Sequence, residues 1–237
     1  MLVLFDIDQT MITTAGSGMK ALSEAGRDLF GSGFAATGIE FAGRLDPLII
    51  GDLLVANGVE DTLAHRATLR EAYAAHLARH LETAGVAMAL PGVIPLLDAL
   101  AARPEVVVGV LTGNFRETGM MKLRASGIDP ARFAVSVWGD DSPHTPPRRE
   151  HLVEVGIGRC HAIRPGIRGS RVVVIGDTPH DVACARAHRC RSIAVATGNF
   201  AQEDLRRSGA DLVVPGMADT GALISWLLDA RAAGFTG

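Results

Sequence analysis

Cysteine is scarce in this chain of 237 residues: Cys160, Cys184 and Cys190 are odd in number and contain no CxxC pair. That spacing excludes a disulfide framework and offers no zinc-ligand rhythm. A chain this long can bury a core without covalent or metal staples, so the thiols read as small buried side chains in a reducing compartment. Long apolar runs are missing too: nowhere do roughly eighteen apolar residues pass without a charge, and no membrane-spanning helix is expected. The apolar start, Met1 to Phe5, is cut by Asp6 and Asp8 and lacks a basic flank, so no export signal is expected and the expected location is cytoplasmic. An excess of one charge is absent as well. Lysine and arginine total 23 against 26 acidic residues, a formal net charge of −3, which argues against a basic nucleic-acid-binding surface. No low-complexity tract and no HExxH are present.

What the chain does contain is an alternation. Apolar runs of strand length recur at Leu2 to Phe5, Val106 to Leu111, Ala134 to Val137, Val172 to Ile175, Ile193 to Ala196 and Leu212 to Val214. Segments of helical spacing lie between them, at Val93 to Ala102, Phe115 to Ser126, Asp181 to Ala187 and Ala201 to Ser208. This pattern predicts an α/β fold, a doubly wound, Rossmann-like parallel sheet flanked by helices. Residues 14–85 break the rhythm, being rich in alanine, leucine and charge, with helices expected over Gly18 to Phe30 and Leu63 to Leu81. They are expected to form a small helical cap inserted after the first strand, with residues 1–13 and 86–237 making the core. The cap acts either as a lid on the ligand side of the sheet or as packing without a role at the site.

The chemistry-bearing residues follow the apolar runs. Asp6 and Asp8 leave the first run two residues apart, so both are expected on one side, either opening a solvated turn or forming a catalytic pair. In the second case one carboxylate attacks and the other shuttles the proton. Thr112-Gly113-Asn114 ends the second run, where a hydroxyl and free N–H groups suit phosphate oxygens or cap a helix. Gly176-Asp177-Thr178-Pro179-His180-Asp181 ends the fourth, bringing the expected number of aspartates at one point to four. So much negative charge calls for a cation, and magnesium suits oxygen ligands. A phosphate dianion would in turn need a fixed positive charge, which Arg148 or Arg149 can supply. His180 is open between substrate contact and helix capping. His76 and His80, four apart, are expected to be exposed rather than to bind metal. The tetrapeptide TGNF occurs twice, at Thr112 to Phe115 and Thr197 to Phe200, both expected at the same end of the sheet.

Asp6-Ile7-Asp8-Gln9-Thr10, Thr112-Gly113-Asn114 and Gly176-Asp177-Thr178-Pro179-His180-Asp181, in this order, resemble the DxDxT, threonine and GDTxxD motifs of the haloacid dehalogenase-like hydrolase superfamily. The likeness spans essentially the whole chain and is nearest to the phosphoglycolate phosphatase-like branch with a helical cap. The resemblance implies a Mg2+-dependent phosphatase acting on a small phosphorylated metabolite through an aspartyl phosphate, with a sugar-phosphate mutase of the same fold as the alternative. A dehalogenase or a silent phospho-ligand binder ranks lower. It implies Asp6 as nucleophile, Asp8 as acid/base, Thr112 and Arg149 as phosphoryl-holding groups, and Gly113, Asn114 and the cap residue Arg44 as substrate contacts. Asp6, Asp8 through its carbonyl, Asp177 and Asp181 are the implied magnesium ligands. Gln9 stands where many relatives have glycine, and arginine replaces the usual lysine of the third motif. Arg149 is preferred to Arg148 because Leu152 follows it by three residues, as in some related branches.

Overall fold

Leu2, Val3, Leu4 and Phe5 are all fully buried and form β1 (Leu2–Phe5), the strand around which the molecule is built; the computed structural model describes residues 1–229. Strand alternation sends Val3 and Phe5 into one hydrophobic core and Leu2 and Leu4 into another on the opposite face. Burying a side chain as large as Phe5 contributes about 1.5–3 kcal/mol. With two cores, β1 is committed on both faces, as parallel strands require.

Five further strands complete a parallel sheet with β1. They are β4 (Val107–Leu111), β5 (Val135–Val137), β6 (Val172–Gly176), β7 (Arg191–Val195) and β8 (Leu212–Val214), in the order β5-β4-β1-β6-β7-β8. One face is covered by α4 (Val93–Ala101), α5 (Arg116–Ala125) and α9 (Thr220–Leu228). The other is covered by α6 (Glu150–Ile163) and α7 (Pro179–Ala187), with α8 (Gln202–Arg207) against β8. The chain winds from β1 to β4 and β5, then returns through α6 to β6 on the other side of β1. That reversal opens a crevice at the carboxyl ends of β1, β4 and β6, the place where such sheets bind ligands.

The strands lie where the apolar runs predicted them. The largest difference is β7, which begins two residues before its apolar run because its first two polar side chains are paired inside the fold. Arg191 donates to the carbonyls of Leu227 and Trp226 and stacks on the Trp226 ring, and Ser192 bonds Asp211.

Between β1 and α4 the chain makes a helical layer of α1 (Ser17–Phe30), α2 (Asp46–Ala56) and α3 (Leu63–Leu81). Ala21, Leu22 and Ala25 of α1 meet Ile49, Leu53 and Leu54 of α2 and Leu69, Tyr73 and Leu77 of α3 in a separate core, to which the sheet side contributes Phe115. Two short strands, β2 (Ile12–Thr13) and β3 (Met88–Ala89), pair antiparallel where the chain leaves and rejoins the sheet domain. At two residues each they leave no periodicity to read. The layer corrects the reading of its histidines: His76 is buried, with Nδ1 3.1 Å from Glu24 and Nε2 2.9 Å from Asp28, and half-buried His80 lies 2.8 Å from Glu24. They fasten α3 to α1, because acidic residues one turn apart on α1 supply partners that the spacing on α3 alone does not reveal. Residues 230–237, assigned to the core from sequence, lie outside the described residues.

Candidate active site

Asp6 is the first residue past β1, and its N–H donates to the Ile175 carbonyl at 2.9 Å, which fixes it beside the end of β6. Its carboxylate is buried, and Oδ1 lies 3.1 Å from Nη2 of Arg149, the residue that opens α6. The same Nη2 reaches Asp181 Oδ1 at 2.6 Å. Asp181 is in turn held by the start of α7, accepting from the Thr178 N–H at 3.1 Å and the Thr178 hydroxyl at 2.7 Å in a capping box. Asp177, following β6, accepts from the Thr10 hydroxyl at 3.2 Å. Carboxylate oxygens of Asp6, Asp177 and Asp181 all lie within 4.8 Å of one another.

Three acids so placed strain their own ionisation. Burial pushes Asp6 well above the carboxylate range, Asp181 and Asp8 add to the effect, and Arg149 opposes it. Asp177 is pushed to about 8 by burial, with Asp181 and Asp6 next in importance. Burial works against the charge on Arg149 as well, but Asp181 and Asp6 more than offset it. One guanidinium facing three carboxylates leaves an excess of negative charge and hard oxygen donors in one spot, the donor set of a divalent cation such as magnesium. Among the described residues Arg149 Nε is buried without a hydrogen-bond partner, a donor left for an anion.

Asp8 does not join this cluster, which corrects the expectation of four carboxylates at one point. Its oxygens are taken by Lys122 of α5, with Nζ at 2.8 and 3.0 Å, and by Asn114 Nδ2 at 2.7 Å. Asn114 also donates to the Thr112 hydroxyl at 2.8 Å and accepts from Lys122 at 2.6 Å. Burial disfavours the Lys122 charge, yet Asp8 chiefly, and Asp46, hold its pKa above the usual lysine value. Lys122 was not anticipated, nor was Asn114 as a brace for Asp8. A signal existed: Thr118, Lys122 and Leu123 fall on one helical face of α5, and that face is buried.

Between these groups and the helical layer lies a solvent-open chamber of about 220 Å³, lined by Asp6, Asp8, Thr112, Arg149 and Asp177 from the sheet side and Leu22, Ile49 and Tyr73 from the helical layer. The loop before α2 docks directly on the Thr112 loop. The Asp46 N–H donates to the Gly113 carbonyl at 2.7 Å, and Asp46 Oδ2 accepts from the Phe115 N–H at 3.0 Å. A Cβ on Gly113 would lie 1.9 Å from the Arg44 carbonyl, so glycine is what permits the contact. Burial pushes Asp46 up to about 6, against the pull of Lys122. Arg44 lines the chamber, and its guanidinium is paired with Asp52 at 2.5 Å rather than with Asp46. Arg148 has no ion-pair partner among the described residues, and Arg149 alone of the two enters the site. His180 is exposed beside Gly43, and the helix cap it was considered for is Thr178.

The family model described as haloacid dehalogenase-like hydrolase matches residues 3–186, which carry every site residue named above. A phosphoglycolate phosphatase of Pectobacterium atrosepticum is 26% identical over 228 residues, covering 93% of this chain and 90% of that protein. Among solved structures, a hydrolase from Pseudomonas syringae superposes with a TM-score of 0.71 at 22% identity, over 94% of this chain and 97% of the other. The CbbY protein of Rhodobacter sphaeroides, solved with phosphate, gives a TM-score of 0.70 at 18% identity over 93% and 96%. At these identities the solved structures speak for the fold, while the family model, spanning most of the chain, speaks for descent. The chain belongs to the haloacid dehalogenase-like hydrolase family.

Proposed function

We propose that the protein is a magnesium-dependent phosphatase that hydrolyses a small phosphorylated metabolite through a phosphoryl group carried on Asp6. The observation that carries this reading is the placing of Asp6 at the chamber floor, between the cationic Arg149 and the acids Asp177 and Asp181 on one side and the braced Asp8 on the other. The curated phosphoglycolate phosphatase relative points to the same chemistry, and about 220 Å³ suits a substrate of a few carbons.

Asp6, Asp177 and Asp181 would hold the magnesium, together with the Asp8 carbonyl. Once bound, the ion would neutralise phosphate charge as a Lewis acid. Asp6 attacks phosphorus in line with the leaving oxygen. Asp8, ion-paired with Lys122 in the free site, takes up a proton as the phosphomonoester binds and gives it to the leaving oxygen as the P–O bond breaks. Arg149, with its unpaired Nε–H, and the Thr112 hydroxyl hold the equatorial oxygens. Asp8, then ionised, takes a proton from water, which attacks phosphorus, breaks its bond to Asp6 and frees phosphate. Residues 14–85 would act as the cap over this chamber, opening at the β2–β3 ribbon to admit substrate and excluding water when closed.

The test is phosphate release from a panel of phosphorylated two- and three-carbon acids, sugars and nucleotides, with magnesium and with chelator. The small phospho-acids should turn over fastest and chelator should stop them. Asp6→Asn should lose turnover while keeping its circular dichroism. Undiminished phosphate release by that variant would sink the mechanism.

A further inference from the structure

The second TGNF tetrapeptide, at residues 197–200, follows β7 and faces the same crevice as the first. Glycine serves close approach in both copies, but what approaches differs. At Gly113 it is the Arg44 backbone; at Gly198 it is the Asp177 carboxylate, since a Cβ there would lie 1.8 Å from Asp177 Oδ2 and 3.2 Å from Gln9 Cβ. No unusual backbone angle accounts for this glycine, because Gly198 is not among the residues with positive φ. Space for Asp177 is the remaining reason.

Thr197 fastens that loop. Its hydroxyl donates to the Gln9 carbonyl, and Gln9 has the left-handed φ of 56° that a glycine would adopt without strain. From the other side Asp177 Oδ1 is held by Thr10. Asp177 is thus seated between two residues of the first motif and the loop after β7, with Oδ2 lying against Gly198.

We propose that Thr197 and Gly198 are positioning residues for the cation: they set the direction of the Asp177 carboxylate and so the affinity for magnesium. The proposal rests on the reading of Asp6, Asp177 and Asp181 as the metal site. A methyl group at position 198 forces the Asp177 carboxylate to turn and touches neither Arg149 nor Asp8. Loss of the Thr197 hydroxyl frees the loop and acts in the same direction by a smaller factor.

Calorimetric titration of metal-free protein with Mg2+ tests this on four proteins: the unaltered chain, Gly198→Ala, Thr197→Val and Asp177→Asn. Gly198→Ala should bind Mg2+ about 10- to 100-fold more weakly, the range usual for groups that orient metal ligands, with an unchanged metal-free melting temperature. Asp177→Asn should lose more. If Gly198→Ala binds as tightly as the unaltered chain while Asp177→Asn does not, the proposal is wrong and the metal site stands. If Asp177→Asn also binds normally, the metal reading fails and the proposal falls with it. Should Gly198→Ala not fold, unaltered affinity in Thr197→Val overturns the proposal by itself.

Discussion

Lys122 holds its charge in a place almost closed to water, and its ammonium is hydrogen-bonded to Asp8 and Asn114 there. The arrangement aims a carboxylate: three hydrogen bonds from two donors fix both oxygens of Asp8 beside the chamber. Replacing Lys122 with methionine keeps the length of the side chain and removes the aim. The expected result is a fall in kcat of about 10²–10⁴, the worth of a positioned proton donor, with a smaller change in KM. Stability should drop by about 1–3 kcal/mol, because Asp8 and Asn114 lose a charged donor but Asp8 keeps some access to water. Steady-state kinetics and urea denaturation would check both figures, and a kcat within threefold of the unaltered enzyme would contradict the role. At this scale the carboxylates were legible, since each ends an apolar run, whereas Lys122 was not. Two cations share the work here, Arg149 on Asp6 and Lys122 on Asp8. Only the buried face of α5 betrays the second.

Two of the polar junctions between the helical layer and the sheet domain show how the elements meet. At the first, Asp46 accepts from the N–H of Phe115 just before α5, with burial pushing its pKa up to about 6. Its folded pKa exceeds the unfolded value of about 4, so the folded state binds the proton more tightly. This contribution to stability is therefore present at low pH and lost as pH rises through that window, by up to about 3 kcal/mol. Asp46→Asn keeps an acceptor for the Phe115 N–H and cannot ionise. It should flatten the fall in stability between about pH 4 and pH 6 and raise stability at neutral pH, measured by urea melts across that range. An unchanged pH slope would count against the buried carboxyl.

At the second junction Arg70 of α3 forms a two-pronged pair with Glu117 at 2.6 and 2.9 Å, reaches Asp140 at 2.9 Å and stacks 3.8 Å over the Phe115 ring. These groups are about one-third exposed, so the ion pairs stabilise the fold by only about 1 kcal/mol in all. Their effect should show instead in how firmly the helical layer is held on the sheet domain. Arg70→Met should raise KM and speed amide exchange at the start of α5 with little change in melting temperature. Equal exchange rates in the two proteins would show that the layer is held elsewhere. The helices themselves were legible from period and composition. These junctions were not, since Asp46 and Arg70 find their partners, Phe115 and Glu117, roughly fifty to seventy residues away in sequence.

For the whole molecule, the strand runs and their helices were readable because both faces of the sheet are covered and its strands are mostly apolar. Their spatial order was not, since nothing in a run of valines says whether β4 or β6 lies beside it. That order is what brings Asp6, Thr112 and Asp177 to one crevice, and it carries an electrostatic cost. In metal-free protein Asp6 and Asp177 both have folded pKa values above the unfolded range, Asp177 at about 8, with burial as the main cause. At these two sites the folded chain holds more protons than the unfolded one, so their contribution to stability declines as pH rises from about 4 towards 8. A bound cation reverses the balance by favouring the ionised acids, so its binding should release on the order of one proton near neutrality. Two measurements follow from this. Melting temperature in chelator should fall steadily from pH 5 to pH 8, and a fixed Mg2+ concentration should raise stability most at the upper end, by about 2.7 kcal/mol where it reaches a hundredfold excess over Kd. Titration heats in buffers of different ionisation enthalpy should show the released proton. If melting temperature in chelator is flat over that range and no proton leaves, then the three carboxylates are not held against their charge, and the cation has no reason to bind there.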